Sequence, residues 1–105
     1  MPIRIGRYDF EGPFETPENL KNDAGVYAVI ALDTDRGAMI DVGETTDIKD
    51  KVNNHERKQC WEKLSNDRPI RFAAVYTHEI AEQGRHMIEK EIRSQFTVPC
   101  GKAND

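Results

Sequence analysis

The chain has 105 residues, of which 37% are hydrophobic and 32% charged, and its formal net charge is −4. This length leaves room for one hydrophobic core, so we expect a single domain over residues 1–105 with its core at about 24–101. The acidic balance argues against broad nonspecific attraction to nucleic acid, because such attraction depends on Lys and Arg neutralising phosphates. Any contact with nucleic acid must therefore be local.

The N-terminus and the two cysteines bear on the compartment. Residues Met1 to Arg7 carry charges where a signal peptide needs an apolar stretch, and no run is long enough to span a bilayer. We therefore expect a cytoplasmic location and no membrane partner. Cys60 and Cys100 lack the close spacing of zinc ribbons or thioredoxin-like motifs, so both are expected to be free thiols in a reducing compartment.

The first elements in chain order are short. Residues 3–10 have the composition of an edge strand, and Glu11-Gly12-Pro13 is expected to break it. Thr16-Pro17-Glu18 has the order of an N-cap, a proline in the first helical position and an acid in the first turn. This order predicts about one turn of helix through Leu20.

A β-hairpin is predicted next. Two apolar, partly β-branched runs, Val26 to Leu32 and Ala38 to Val42, are separated by polar residues and a glycine at 33–37. We interpret the runs as two central strands. After Gly43 the pattern becomes helical, with Thr46 or Asp47 as the cap and with three residues on one face: Ile48, Val52 and His55.

The second half predicts two helices and a third central strand. The helix after Gly43 is expected to break and resume over Arg57 to Leu64, burying Trp61 and Leu64. After a loop, alternating residues over 70–76 predict the strand. A last helix is predicted from about Glu79 to Phe96, ending before Pro99, with an apolar stripe of Met87, Ile88, Ile92 and Phe96.

Two tripeptides in the hairpin, Gly25-Val26-Tyr27 and Asp41-Val42-Gly43, resemble the signature strands of the GIY-YIG nuclease family. The segment from Gly43 to His55 is similar to that family's glycine, short loop and basic helix. Residues 87–92, followed by Phe96 and Pro99, resemble the helix that carries its metal-binding glutamate. The resemblance implies an α/β fold: a small central three-stranded, mostly antiparallel sheet flanked by helices, with a short N-terminal extension.

The resemblance also implies a function. Members of the family are metal-dependent endonucleases, hydrolases that cleave DNA phosphodiester bonds with Mg²⁺ or Mn²⁺. Carried over to this chain, Glu89 would be the metal ligand and Lys51 would stabilise the phosphate in place of the family's arginine. Tyr27 would draw a proton from the attacking water, and His55 would take that proton from Tyr27 or act as the base itself.

Each of these residues also has a plainer interpretation. Tyr27 suits a core position with its hydroxyl at the surface, and His55 suits a hydrogen-bonded packing residue. Lys51 suits a surface lysine. Glu89 is four residues from both Arg85 and Arg93, so it suits an ion pair on a helix face.

Three positions depart from the family pattern: Asp41 replaces a tyrosine, Lys51 an arginine, and Gly101 an asparagine, unless Asn104 takes the asparagine's place in a shifted tail. Asp41 could be an added metal ligand, but we favour a polar residue facing solvent. Together with the acidic charge, these departures leave a second hypothesis open, a catalytically inactive module that binds nucleic acid or a protein partner, with a homo-oligomer also open. Basic residues near the first long helix alternate with acids: Lys49, Lys51, Arg57, Lys58 and Lys63.

Overall fold

The computed structural model describes residues 3–32, 37–77 and 80–101, so most of the predicted hairpin loop and the predicted start of the last helix at Glu79 lie outside the described residues. Within them the fold is α/β. The strands are β1 Ile3–Ile5, β2 Tyr8–Phe14, β3 Gly25–Leu32, β4 Gly37–Thr45 and β5 Ile70–Tyr76. The helices are α1 Ile48–Asn53, α2 Lys58–Ser65 and α3 Glu82–Gln95, with a 3-10 turn at Pro17–Asn19.

The five described strands form one sheet in the order β1-β2-β5-β3-β4, and every neighbouring pair is antiparallel. The predicted three strands are present, but the prediction of a three-stranded sheet is wrong because the N-terminal segment adds β1 and β2. Glu11-Gly12-Pro13 does not end a strand, since β2 continues through it with a register shift between Glu11 and Phe14. Such an irregularity lets a strand accommodate Gly and Pro without leaving the sheet.

The hairpin of β3 and β4 forms as predicted, but only β3 is central. β3 lies between β5 and β4, whereas β4 is at the edge of the sheet. β4 has the apolar sequence of a central strand because both of its faces are buried, with Ile40 packed on one face and Val42 on the other. Its outer edge is also covered near Ile40. The backbone N–H of Cys100 donates to the carbonyl of Ile40 at 2.9 Å there. We call the covering residues, 97–101, the strap.

The sheet separates two apolar cores. In β5, Phe72 and Ala74 face one core while Ala73 faces the other, as the predicted alternation requires. Helices α1 and α2 cover the first core, to which they contribute Ile48, Val52 and Trp61. Helix α3 covers the second core with Ile88 and Ile92.

The helices match their predicted positions with some corrections. Asp47 caps α1 by accepting from the N–H of Asp50 at 3.2 Å. Leu64 is only partly buried. The apolar stripe predicted for α3 is wrong at Met87, which is 69% exposed, and at Phe96, which is 40% exposed. None of the described helices is long and apolar enough to cross a bilayer.

A disulfide joins Cys60 in α2 to Cys100 in the strap, so the prediction of two free thiols is wrong. The two cysteines are 40 residues apart in sequence, and spacing alone could not show that they meet. They meet because α2 and α3 lie on opposite faces of the sheet, and the strap after α3 passes around the outer edge of β4. The disulfide thus ties the strap to the helix on the other face.

Candidate functional site

Tyr27 lies in the middle of β3, directly opposite Gly43 of β4. A Cβ atom at Gly43 would overlap the Tyr27 hydroxyl, so the missing side chain at this position makes room for the ring. The Tyr27 side chain is buried, with the residue 2% exposed. Burial, with a smaller contribution from the Asp41 carboxylate, raises the pKa of Tyr27 above its ordinary value.

His55 follows the C-terminal end of α1 and contacts Tyr27, with 2.5 Å between the hydroxyl oxygen and Nε2. On the other side of the ring, Nδ1 accepts from the backbone N–H of Arg57 at 3.0 Å. Because Nδ1 accepts, the neutral ring carries its hydrogen on Nε2 and donates it to the Tyr27 oxygen. Burial, helped by the Arg57 charge, lowers the pKa of His55 to about 4, so the ring is neutral at pH 7.

Asp41 lies at the centre of the site and is fully buried. Its Oδ1 accepts from the backbone N–H of Val42 at 2.8 Å and from Nη2 of Arg57 and of Arg93, each at 3.1 Å. Its Oδ2 accepts from Nε of Arg57 at 2.8 Å and from Nε1 of Trp61 at 2.7 Å. The prediction that Asp41 faces solvent is therefore wrong. It is paired with Val29 across the hairpin and shares that residue's buried face.

The two guanidinium groups reach Asp41 from opposite faces of the sheet. Arg57 comes from the start of α2, and Arg93 comes from the last turn of α3. Arg93 also donates through Nε to Oε2 of Glu89 at 3.1 Å and through Nη2 to the carbonyl of Val42 at 2.6 Å. Two carboxylates thus face two guanidinium groups, so the cluster of Asp41, Glu89, Arg57 and Arg93 is formally neutral.

The structure brings three of the four predicted site residues together. Tyr27 and His55 are in contact, and Glu89 joins the same region through Arg93. Lys51 lies at the surface, where its side chain is 40% exposed and its Nζ is 3.6 Å from Oε1 of Glu56. The predicted proton transfer from Tyr27 to His55 would require the opposite hydrogen-bond direction from the one that the N–H of Arg57 imposes.

Comparison with protein-family models, curated proteins and solved structures found no match. The arrangement of side chains must therefore carry the functional proposal.

The residues around Glu89 do not fit the implied Mg²⁺ or Mn²⁺. One oxygen of Glu89 is already bound by the guanidinium of Arg93, and the nearest other carboxylate of the cluster, Asp41, is saturated by five donors. Divalent cations of this kind need several oxygen ligands, and adjacent guanidinium groups oppose their charge. Within the described ranges, no group of three His, Cys, Asp or Glu side chains could hold a metal ion.

Sequence reasoning missed the central role of Asp41, Arg57 and Arg93. Two signals were available. Asp41 is a lone charge inside an apolar strand, and a buried carboxylate requires charged or hydrogen-bonding partners. Arg57 and Trp61 are four residues apart at the start of a helix, a spacing that places their side chains on one face.

Proposed function

We propose that this chain is a catalytically inactive module with a GIY-YIG-like fold that binds nucleic acid at the surface around α1 and α2. The observation that carries the proposal is the fully buried carboxylate of Asp41, which holds both Arg57 and Arg93. With Lys51 at the surface, these are the guanidinium groups near the site that could grip a phosphate, and Asp41 occupies Nε and Nη2 of Arg57 and Nη2 of Arg93 instead.

The state of Tyr27 and His55 supports the absence of cleavage. A general base must reach the proton that it removes, yet Tyr27 and His55 are 2% and 5% exposed and are bonded to each other. The raised pKa of Tyr27 also disfavours its ionised form at neutral pH. The pair is therefore better suited to packing than to activating water.

The basic side chains near the cluster support nucleic acid as the partner. They lie on the two helices that cover the first core: Lys49, Lys51, Lys58 and Lys63. Arg57 lies beside them but is held by Asp41. Acidic residues alternate with them, and Lys51 pairs with Glu56. We therefore expect weak binding that is directed at phosphates, independent of base sequence and sensitive to salt.

The test is fluorescence anisotropy with a labelled DNA duplex over a series of salt concentrations. We expect affinity to fall with salt, and the double substitution Lys58→Ala with Lys63→Ala to weaken binding and to reduce the log–log salt slope by up to about 2. The matched control is Lys90→Ala, on the helix that covers the opposite face of the sheet, which should bind like the natural protein. No affinity at low salt would rule out nucleic acid and leave a protein partner.

A DNA endonuclease is the second candidate, favoured by the contact between Tyr27 and His55 and by the hydrogen bonds through which Arg93 links Glu89 to Asp41. Plasmid nicking with Mg²⁺ or Mn²⁺ distinguishes the two candidates. We expect no nicking by the natural protein or by Glu89→Gln. Nicking by the natural protein that is lost in Glu89→Gln would overturn the inactive-module proposal.

A further inference from the structure

The strap lies directly on the two guanidinium groups of the site. The carbonyl of Cys100 accepts from Nη1 of Arg93 at 3.1 Å, while its N–H binds Ile40 of β4. Cys100 is 1% exposed, so this contact is closed to solvent. The strap therefore occupies a donor of Arg93 that Asp41 and Glu89 do not use.

Gly101 covers the second guanidinium group. Its φ is +73°, and a Cβ atom built there would lie 2.6 Å from Cζ of Arg57. Only a residue without a side chain brings the backbone this close in this conformation. The Arg57 side chain is nevertheless 30% exposed, so it lies at the boundary between the cluster and solvent.

The disulfide is the covalent attachment of the strap to α2. The strap's other attachments among the described residues include the buried side chain of Val98 in the second core, the buried side chain of Cys100 in the first core, and the two hydrogen bonds of Cys100. Cys60 is partly exposed, whereas Cys100 is buried. We therefore expect a small thiol from solvent to attack the sulfur of Cys60, the more exposed of the two residues.

We propose that the Cys60–Cys100 disulfide is a clasp whose reduction uncovers an oxyanion-binding site on Arg57 and Arg93. Release of the strap frees Nη1 of Arg93 and the covered face of Arg57, while Asp41 continues to hold both side chains in place. Two nearby guanidinium groups with free donors suit the oxygens of a phosphate group. The phosphate could be inorganic or part of a nucleic-acid backbone, and in the second case the inference rests on the proposed function.

The opening reaction is thiol–disulfide exchange with a small-molecule thiol of the glutathione class. A thiolate attacks the Cys60 sulfur, Cys100 leaves as a thiolate and takes up a proton, and a second thiol then releases Cys60 from the mixed disulfide. In total, two small thiols become one small disulfide, and two electrons and two protons pass to the protein. In a reducing compartment, such as the predicted cytoplasm, the clasp would be open.

The first experiment measures strap release without any ligand. Trp61 is the one tryptophan of the chain, and its Nε1 binds Asp41, so its fluorescence reports on the cluster. We expect iodide to quench Trp61 several-fold more strongly after reduction, and caesium to quench it no more strongly, because uncovered guanidinium groups attract only the anion. Cys60→Ser with Cys100→Ser should match the reduced protein without added thiol. Equal iodide quenching of the oxidised and reduced proteins would overturn the clasp.

Reduction could also unfold the protein, which a loss of the far-ultraviolet circular dichroism signal would show. In that case a second variant still tests the position of the strap. Gly101→Ala retains the disulfide but places a Cβ against Arg57 in a conformation that alanine rarely adopts. We expect it to raise iodide quenching of oxidised protein at least twofold. Unchanged quenching in this variant would likewise contradict the assigned position of the strap.

The second experiment measures binding by calorimetry with inorganic phosphate and by anisotropy with a labelled DNA duplex. We expect at least fivefold tighter binding of phosphate by the reduced protein than by the oxidised protein, and Arg57→Lys should remove most of the gain. Arg4→Lys, in a solvent-exposed pair with Asp9, is the control. A gain for phosphate alone would support the site and count against the nucleic-acid function. A gain for neither ligand would overturn the site.

Discussion

Replacement of Asp41 by asparagine tests the central feature of the site. The side chain keeps its size but loses its charge. Its NH2 group would take the place of one carboxylate oxygen and would then face the N–H donors that this oxygen accepts from. Oδ2 of Asp41 accepts from Nε of Arg57 and Nε1 of Trp61, while Oδ1 accepts from both arginines. Asparagine can satisfy only one of these sets.

The expected cost follows from the burial of the partners. Asp41 is fully buried and the Arg93 side chain is 16% exposed, so Arg93 cannot turn to water without moving α3. Breaking a buried ion pair by removing one charge costs about 3–5 kcal/mol. The Arg57 side chain is 30% exposed and can be partly rehydrated, so we expect about 3 kcal/mol, the low end of the range.

Urea unfolding at pH 7, followed by circular dichroism and by Trp61 fluorescence, measures the change in the free energy of unfolding. The matched control is Asp9→Asn, which removes a charge from an ion pair whose side chains are 66% and 62% exposed. We expect that control to change stability by no more than about 0.5 kcal/mol. If Asp41→Asn were no less stable than Asp9→Asn, the buried cluster as described would be refuted.

Three further perturbations test separate contacts. The pKa of His55 is lowered to about 4, below its ordinary value of 6.5, so protonation favours the unfolded chain. Its contribution is present above about pH 6.5 and is lost as the pH falls towards 4, and unfolding titrations should show a loss of up to about 3 kcal/mol that is absent in His55→Gln. Gly43→Ala must displace the Tyr27 ring, so we expect it to lower the free energy of unfolding by about 1–3 kcal/mol, measured in urea. Reduction of the Cys60–Cys100 disulfide should lower the free energy of unfolding by up to about 4 kcal/mol, because the unfolded chain then regains the entropy of a loop whose ends are 40 residues apart. Urea unfolding with and without a thiol checks this value.

The elements with strong local patterns were predictable from sequence. The alternation along Ile70–Tyr76 and the spacing of Ile88 and Ile92 correspond directly to the strand and the helix that the structure contains. The segment at 3–14 was harder, because Gly and Pro within it are typical of a strand end. Its place in the sheet depends on pairing with β5, which is remote in sequence.

The site was less predictable because its contacts join distant segments. Asp41, Arg57 and Arg93 come from β4, the start of α2 and the last turn of α3. Each of them has an ordinary local explanation as a polar strand residue or a surface arginine. The packing of α2 and α3 on opposite faces of the sheet beside β4 brings them together, and no local period encodes that packing.

The strap also affects how the sheet meets other molecules. An uncovered edge strand presents unpaired N–H and carbonyl groups to any other extended chain, which promotes association between sheets. One edge here is β1, a strand of three residues, and the other is β4, where Cys100 occupies the carbonyl of Ile40. Detaching the strap would therefore leave the carbonyl of Ile40, near the middle of the nine-residue strand β4, without its hydrogen bond to Cys100. We expect the reduced protein to be the form that self-associates.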